Sequence, residues 1–289
     1  MQLAFASGAI AGKLALNGQG VDATGLAFLR ALGGAIAFQV ARAVVVGRAT
    51  PQKISRRDHG RLALYAVLGV AINQAFFLHG LRRATATSAT LLAATIPVFT
   101  AGVAVFARQE TITRRTAIGL ALASAGVLTL TGVRDVSVGN LLVTINSLAY
   151  ATYLVGVRPL LRKYGALTAI AWVFTYGALI MAPFGLVPLL SDAPRWSTRA
   201  TELVLFYLAV PTIYAYLANA WALSHAKPSV VAGYVYLQPV MVALTAWAVL
   251  GERLTPRLAF AAAAILAGLG VILTRRGEID PPKARAAKS

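Results

Sequence analysis

The chain contains no cysteine, which excludes disulfides, thiolate nucleophiles and cysteine metal sites. Its three histidines, His59, His79 and His225, fall at no metal-ligand spacing. A Walker A loop is also missing, so ATP cannot drive work from within this chain. Charge is sparse: Asp, Glu, Lys and Arg make up 12% of residues, about half their share in a soluble domain. Acid is scarcer still, and all nine carboxylates lie at or beyond the ends of apolar runs: Asp22, Asp58, Glu110, Asp135, Asp192, Glu202, Glu252, Glu278 and Asp280. Ion-coupled carriers commonly place such a group at mid-membrane, and this sequence offers none, which leaves His79 as the one candidate proton carrier. No cofactor and no metal are expected.

Hydrophobic residues, by contrast, make up 58% of the chain. They gather in ten runs at about residues 2–17, 22–47, 60–81, 84–106, 113–132, 138–161, 167–190, 201–224, 228–249 and 255–274. At 1.5 Å per residue, runs of roughly 20 residues cross a bilayer core. The fold class is therefore an all-α integral membrane protein with ten transmembrane helices, and the lipid bilayer is its first partner. The net charge of +18 sits in the gaps between runs rather than on a soluble face, so nucleic acid is not expected as a partner. Met1 to Leu16 lacks a basic leader and a small-residue cleavage site and reads as the first span rather than a signal peptide.

The pattern of Gly80–Gly132 returns 142 residues later at Ala222–Thr274. Leu81 matches Leu223, Pro97 matches Pro239, Glu110 matches Glu252, Arg115 matches Arg257 and Gly126 matches Gly268. Residues 1–132 and 138–274 are thus two five-span repeats, and an odd number of spans inverts the second relative to the first. With the amino terminus inside, 18 Lys and Arg residues lie on cytoplasmic loops and 7 on the opposite side. That bias places both termini in the cytoplasm of a cell-membrane protein. Residues 275–289 read as a disordered basic tail.

The stretch "RRATATSATLLAATIPVFTAGVAVFARQETITRRTAIGLALASAGV" and its echo "HAKPSVVAGYVYLQPVMVALTAWAVLGERLTPRLAFAAAAILAGLG" share four features in order. These are a small-residue entry, a mid-span Pro-Val, a terminal Glu before Ile-Thr or Leu-Thr, and a Gly-Val or Gly-Leu in the next helix. In them the sequence resembles the repeated EamA domain of the drug/metabolite transporter superfamily. The resemblance implies a ten-helix carrier of inverted repeats, and the aromatic-rich spans with His79 resemble its aromatic amino acid exporter branch.

Candidate site residues follow from their depth. Pro97 and Pro239 each remove a backbone hydrogen bond inside a span, and paired interruptions of this kind point to a transport pathway; inherited kinks that only shape packing are the alternative. His79 lies near the outer end of span 3, either bonding a polar group of the solute or packing between helices. Asn146, Tyr150 and Tyr153 share one helix face, as do Tyr234 and Gln238. Tyr207, Tyr214 and Trp221 recur every seven residues, with His225 beyond them. Tyr150, Tyr153, Tyr214, Trp221, Tyr234, Asn73, Asn146 and Gln238 are expected to line a pocket for a planar amphipathic solute, with the interfacial belt as the alternative for rings near span ends and bonding across helices as the alternative for Asn73. Tyr207 and His225 are expected in the interfacial aromatic belt. Lys13 either meets an anionic solute or snorkels, and Arg30 simply lies within span 2. Glu110 and Glu252 are expected to support the next helix and pair with Arg115 or Arg257. Small residues in spans 5 and 10 (Gly119, Ala123 and Gly126; Ala264, Gly268 and Gly270) suit close helix packing, with a homodimer seam as the other use.

The expected function is export of small amphipathic metabolites, with aromatic and other neutral amino acids first, by alternating access and without ion coupling. A carrier for a drug, organic cation or sugar conjugate is the alternative. A receptor or enzyme is disfavoured, since no acid–base pair sits in a span and no loop is long enough for a soluble domain.

Overall fold

The structure is a computed structural model that describes residues 1–45, 53–83, 86–131, 138–250 and 256–273. Every regular element among the described residues is helical, and the helices make ten spans. Span 1 is Gln2–Lys13, continued by a π-helical turn at Leu14–Gly18. Spans 2 and 3 are Ala23–Val45 and Arg56–Arg83. Span 4 is split into Ala86–Ala93 and Ile96–Phe106, and span 5 is Arg114–Thr131. Spans 6 and 7 are Val138–Tyr164 and Ala166–Asp192, and span 8 is Thr198–His225. Span 9 runs through Pro228–Gly233, a 3₁₀ turn at Tyr234–Tyr236 and Leu237–Leu250; span 10 is Pro256–Leu273. The tail and Glu252 lie outside the described residues.

Caps start these helices where the sequence supplies short oxygen side chains. Asp22 Oδ1 accepts from the backbone N–H groups of Thr24 and Gly25 at 2.9 and 2.8 Å. Ser55 and Ser197 accept from Asp58 N and Ala200 N in the same way. The outer face of the bundle is apolar, with Phe106, Phe184, Val187 and Leu190 largely exposed, as lipid contact requires.

Lipid gives no hydrophobic reward for helix association, so close approach of small residues must supply it. Spans 2 and 7, which are repeat-equivalent, show how. Gly34 opposes the ring of Phe174, and Gly185 opposes Phe28, each leaving no room for a Cβ. Spans 5 and 10 form the second such pair: a Cβ on Gly268 would sit 2.6 Å from the Gly119 carbonyl oxygen and 2.7 Å from Ala123 N. The small faces that suited a dimer seam are used here within one chain.

The duplication is visible in the irregularities as well. Span 4 breaks at Ala94–Thr95 and span 9 at Tyr234–Tyr236, two or three residues before Pro97 and Pro239. Spans 3 and 8 carry π-helical stretches at Val67–Ile72 and Leu208–Tyr214, again one repeat length apart.

Candidate functional site

A proline leaves the carbonyl four residues earlier without its helical partner. For Pro97 that residue is Ala93, and for Pro239 it is Val235. Both line one cavity between the repeats, with Ile96, Val231 and Ala232 beside them. The paired breaks therefore border the pocket, and bundles place solute sites at such interrupted helices.

Aromatic rings form much of the remaining wall. Phe5, Phe77, Tyr150, Tyr207 and Tyr216 face the cavity. Tyr216 meets Phe5, Phe174 and Tyr150 edge-on, with centroids 5.5, 5.0 and 6.4 Å apart, so the rings brace one another. The polar groups are chained across spans. Tyr216 Oη donates to Asn73 Oδ1 at 2.6 Å, and Asn73 Nδ2 donates to Asn146 Oδ1 at 2.7 Å, joining spans 8, 3 and 6. Asn219 Nδ2 donates to the Tyr150 hydroxyl at 3.1 Å, and Gln238 Nε2 donates to Gln2 Oε1 at 2.6 Å.

One full charge lies in this wall. Arg30 is only 4% exposed. Its Nε donates to Thr212 Oγ1 at 2.9 Å, and its guanidinium carbon stands 4.5 Å from the centroid of the Tyr207 ring. Thr212 Oγ1 in turn donates to the Tyr207 carbonyl at 2.8 Å, five residues back, where the π-helical stretch opens the helix ladder.

Of the residues singled out in the sequence, Asn73, Asn146, Tyr150 and Gln238 meet at the cavity. Tyr153 is buried one layer behind, stacked on Tyr150 at 5.6 Å and closed over Gly69. Tyr214, Trp221 and Tyr234 do not line the cavity; they are 57%, 61% and 37% exposed on the outside of the bundle. Tyr214 and Trp221 instead border a shallow apolar groove with Leu167 and Leu217. His79 stands near the end of span 3, its Nε2 3.0 Å from Thr24 Oγ1 and its Nδ1 3.4 Å from Arg83 Nη1, so it joins helices rather than facing the pocket.

Other residues depart from expectation too. Tyr207 is buried under Arg30 rather than placed in an interfacial belt. Lys13 Nζ donates to the Leu81 carbonyl at 2.9 Å, tying span 1 to span 3. Glu110 accepts from both the backbone N–H and the hydroxyl of Ser229, so it holds the start of span 9 rather than pairing with Arg115. Sequence reasoning missed Arg30, Tyr207, Tyr216, Asn219 and Gln2 as wall residues. The signal for Arg30 was available: a cation eight residues into a span, about 12 Å deep, is costly unless it faces the bundle interior.

Comparison with known proteins agrees with this architecture. The EamA-like transporter family matches residues 1–132 and 137–274. An uncharacterized transporter of Archaeoglobus fulgidus is 28% identical over 261 residues, covering 88% of each chain. A Streptantibioticus cattleyicolor protein named "Probable terminal-alkyne amino-acid exporter" is 25% identical over 283 residues, covering 94% of this chain and 92% of its own. A solved crystal structure superposes with a TM-score of 0.71 at 17% identity, over 94% of this chain and 95% of that one, which shows the shared fold. With both repeats matched, the chain is a multi-pass membrane protein that belongs to the EamA-like transporter family of the drug/metabolite transporter superfamily.

Proposed function

We propose that this transporter exports small amphipathic metabolites, neutral and aromatic amino acids foremost, by alternating access around the inter-repeat cavity. One observation carries the reading: the paired breaks of spans 4 and 9 border a pocket whose walls are rings and whose polar groups, Arg30 apart, are neutral amides and hydroxyls. Rings supply apolar area and stacking for a flat side chain, while amides and hydroxyls orient the polar end. The Streptantibioticus cattleyicolor relative, by its name an amino-acid exporter, adds support.

Rocking of the repeats about the broken spans exposes the site to one side at a time. A zwitterion has no net charge and gains nothing from the membrane potential. None of the described carboxylates lies in the cavity wall, so the solute runs down its own gradient through a facilitator. Both termini lie in the cytoplasm of the cell membrane on the Lys/Arg bias.

Counterflow in proteoliposomes tests the reading. Vesicles preloaded with unlabelled phenylalanine should accumulate labelled phenylalanine saturably, with no dependence on an imposed pH gradient. Folded protein that moves no amino acid removes the substrate assignment, and flux that requires the gradient removes the facilitator.

A further inference from the structure

Arg30 carries a buried positive charge that the described protein does not neutralise. Five carboxylates lie among the described residues, and each is held elsewhere. Asp22 caps span 2 and faces Arg82, while Asp58 bonds Lys163 and Tyr164. Glu110 bonds Ser229, Asp192 accepts from Trp196 Nε1 and Asp22 N, and Glu202 pairs with Arg199. A guanidinium at this depth needs a counter-charge or a wet cavity beside it.

The Arg30 head group is also held in place. Thr212 takes the Nε–H and the Tyr207 ring lies under one face, so the plane of the fork is fixed from the side and from below. Thr212 can accept from Arg30 because it gives its own proton to the Tyr207 carbonyl. Tyr216, the ring at the head of the Tyr216–Asn73–Asn146 chain, stands beside the guanidinium in the same wall. Such pre-orientation suits a planar two-oxygen partner, since carboxylate oxygens match parallel guanidinium N–H groups.

We infer that Arg30 is the anchor for a carboxylate on the transported solute, with the aromatic wall taking the apolar part. The inference rests on reading the cavity as the solute site and narrows its substrate class to organic carboxylates, amino acids included. None of the described carboxylates lies in the wall to meet an ammonium group, so the carboxylate, rather than the amine, is the recognised end. A solute bearing only a cation meets a like charge.

Ligand-dependent thermal unfolding of the purified, detergent-solubilised chain tests this with four probes: phenylalanine, 3-phenylpropionate, phenylalaninamide and inorganic phosphate. The wild type should be stabilised by phenylalanine and 3-phenylpropionate, with the amide at least roughly tenfold weaker, as expected for loss of a charge-assisted bidentate pair. Arg30→Gln should weaken both carboxylates by a similar factor and should not weaken the amide, whose like-charge repulsion it removes. Arg30→Lys keeps the charge but not the fork and should fall between; it provides the reading if the Gln variant does not fold. The inference is overturned if the amide binds as tightly as phenylalanine, if neither carboxylate binds, or if phosphate protects as well as they do. It is also overturned if binding is unchanged in whichever Arg30 variant folds. The carrier reading fails separately: carboxylate binding without flux from folded protein in liposomes would end that reading and leave the anchor standing.

Discussion

Tyr216 Oη and Asn73 Oδ1 lie 2.6 Å apart and join two spans that the duplication made equivalent. Asn73 then passes the connection to Asn146 on span 6 at 2.7 Å. Spans 3 and 8 are thus coupled at the cavity by hydrogen bonds rather than by packing alone.

Tyr216→Phe removes one hydrogen bond and leaves the ring contacts to Phe5 and Phe174 in place. Such bonds in membrane bundles average about 0.6 kcal/mol, so its thermal stability should fall only slightly. Asn73→Ala removes two bonds and leaves the Asn146 oxygen without its donor, and should cost about twice as much. If the chain orients the solute, both variants should also raise the concentration of phenylalanine needed for half-maximal counterflow. Equal stability loss with unchanged flux would make the chain purely structural.

Pro97→Ala and Pro239→Ala restore an N–H that can bond the carbonyls of Ala93 and Val235. Each variant should unfold at the same or a higher temperature than the wild type, while flux falls several-fold, because straightening a broken span removes wall from the cavity. The double variant should be the more stable and the less active. Loss of stability together with flux would show that the breaks matter for packing only.

The ten spans were legible because lipid demands runs of about 20 apolar residues, whatever packs against them. The breaks in spans 4 and 9 were legible because proline cannot donate. The face of span 8 was not legible, for a geometric reason. The stripe Tyr207, Tyr214, Trp221 assumes an unbroken helix, and the π-helical stretch Leu208–Tyr214 intervenes. An extra residue in a turn rotates the following face by about 100°. Tyr207 therefore faces inward while Tyr214 and Trp221 face outward, and Tyr216 and Asn219 take over the wall. Arg30 was passed over because the loop-charge count treated it as a residue within a span rather than as a buried ion.

Gly268→Ala should be strongly destabilising, since its Cβ would meet the backbone of span 5 at Gly119 and Ala123, which cannot rotate away. Overpacking of this kind costs about 1–3 kcal/mol. Gly102→Ala, in the exposed face of span 4, has nothing within 4 Å of the added carbon. It should be neutral or stabilise by up to about 1 kcal/mol through helix propensity. Thermal unfolding of the pair checks whether spans 5 and 10 are packed as described, and similar values for the two would contradict that packing.

The tie between Glu110 and Ser229 closes one end of the cavity's surroundings, and the sequence itself makes this measurable. Glu110 follows span 4 and holds the first turn of span 9. Beside it Gln109 Nε2 reaches the Val155 carbonyl at 3.2 Å, and Arg158 Nε reaches the Ala226 carbonyl at 3.0 Å. Span 4 of the first repeat is therefore tied to spans 6 and 9 of the second on the side where spans 4 and 5 connect. If the repeats separate at this end during transport, the Glu110–Ser229 and Gln109–Val155 contacts must break. Glu110→Ala removes the carboxylate that takes both Ser229 donors and should shift the balance toward opening there. The natural chain has no cysteine, so a single Ala232→Cys, fully buried in the cavity wall, reports access without background. A membrane-impermeant thiol reagent applied from that side should label Ala232→Cys several-fold faster when Glu110→Ala is added. The rate from the opposite side should fall if opening alternates. Unchanged rates from both sides would mean that Glu110 supports span 9 without guarding the path to the site.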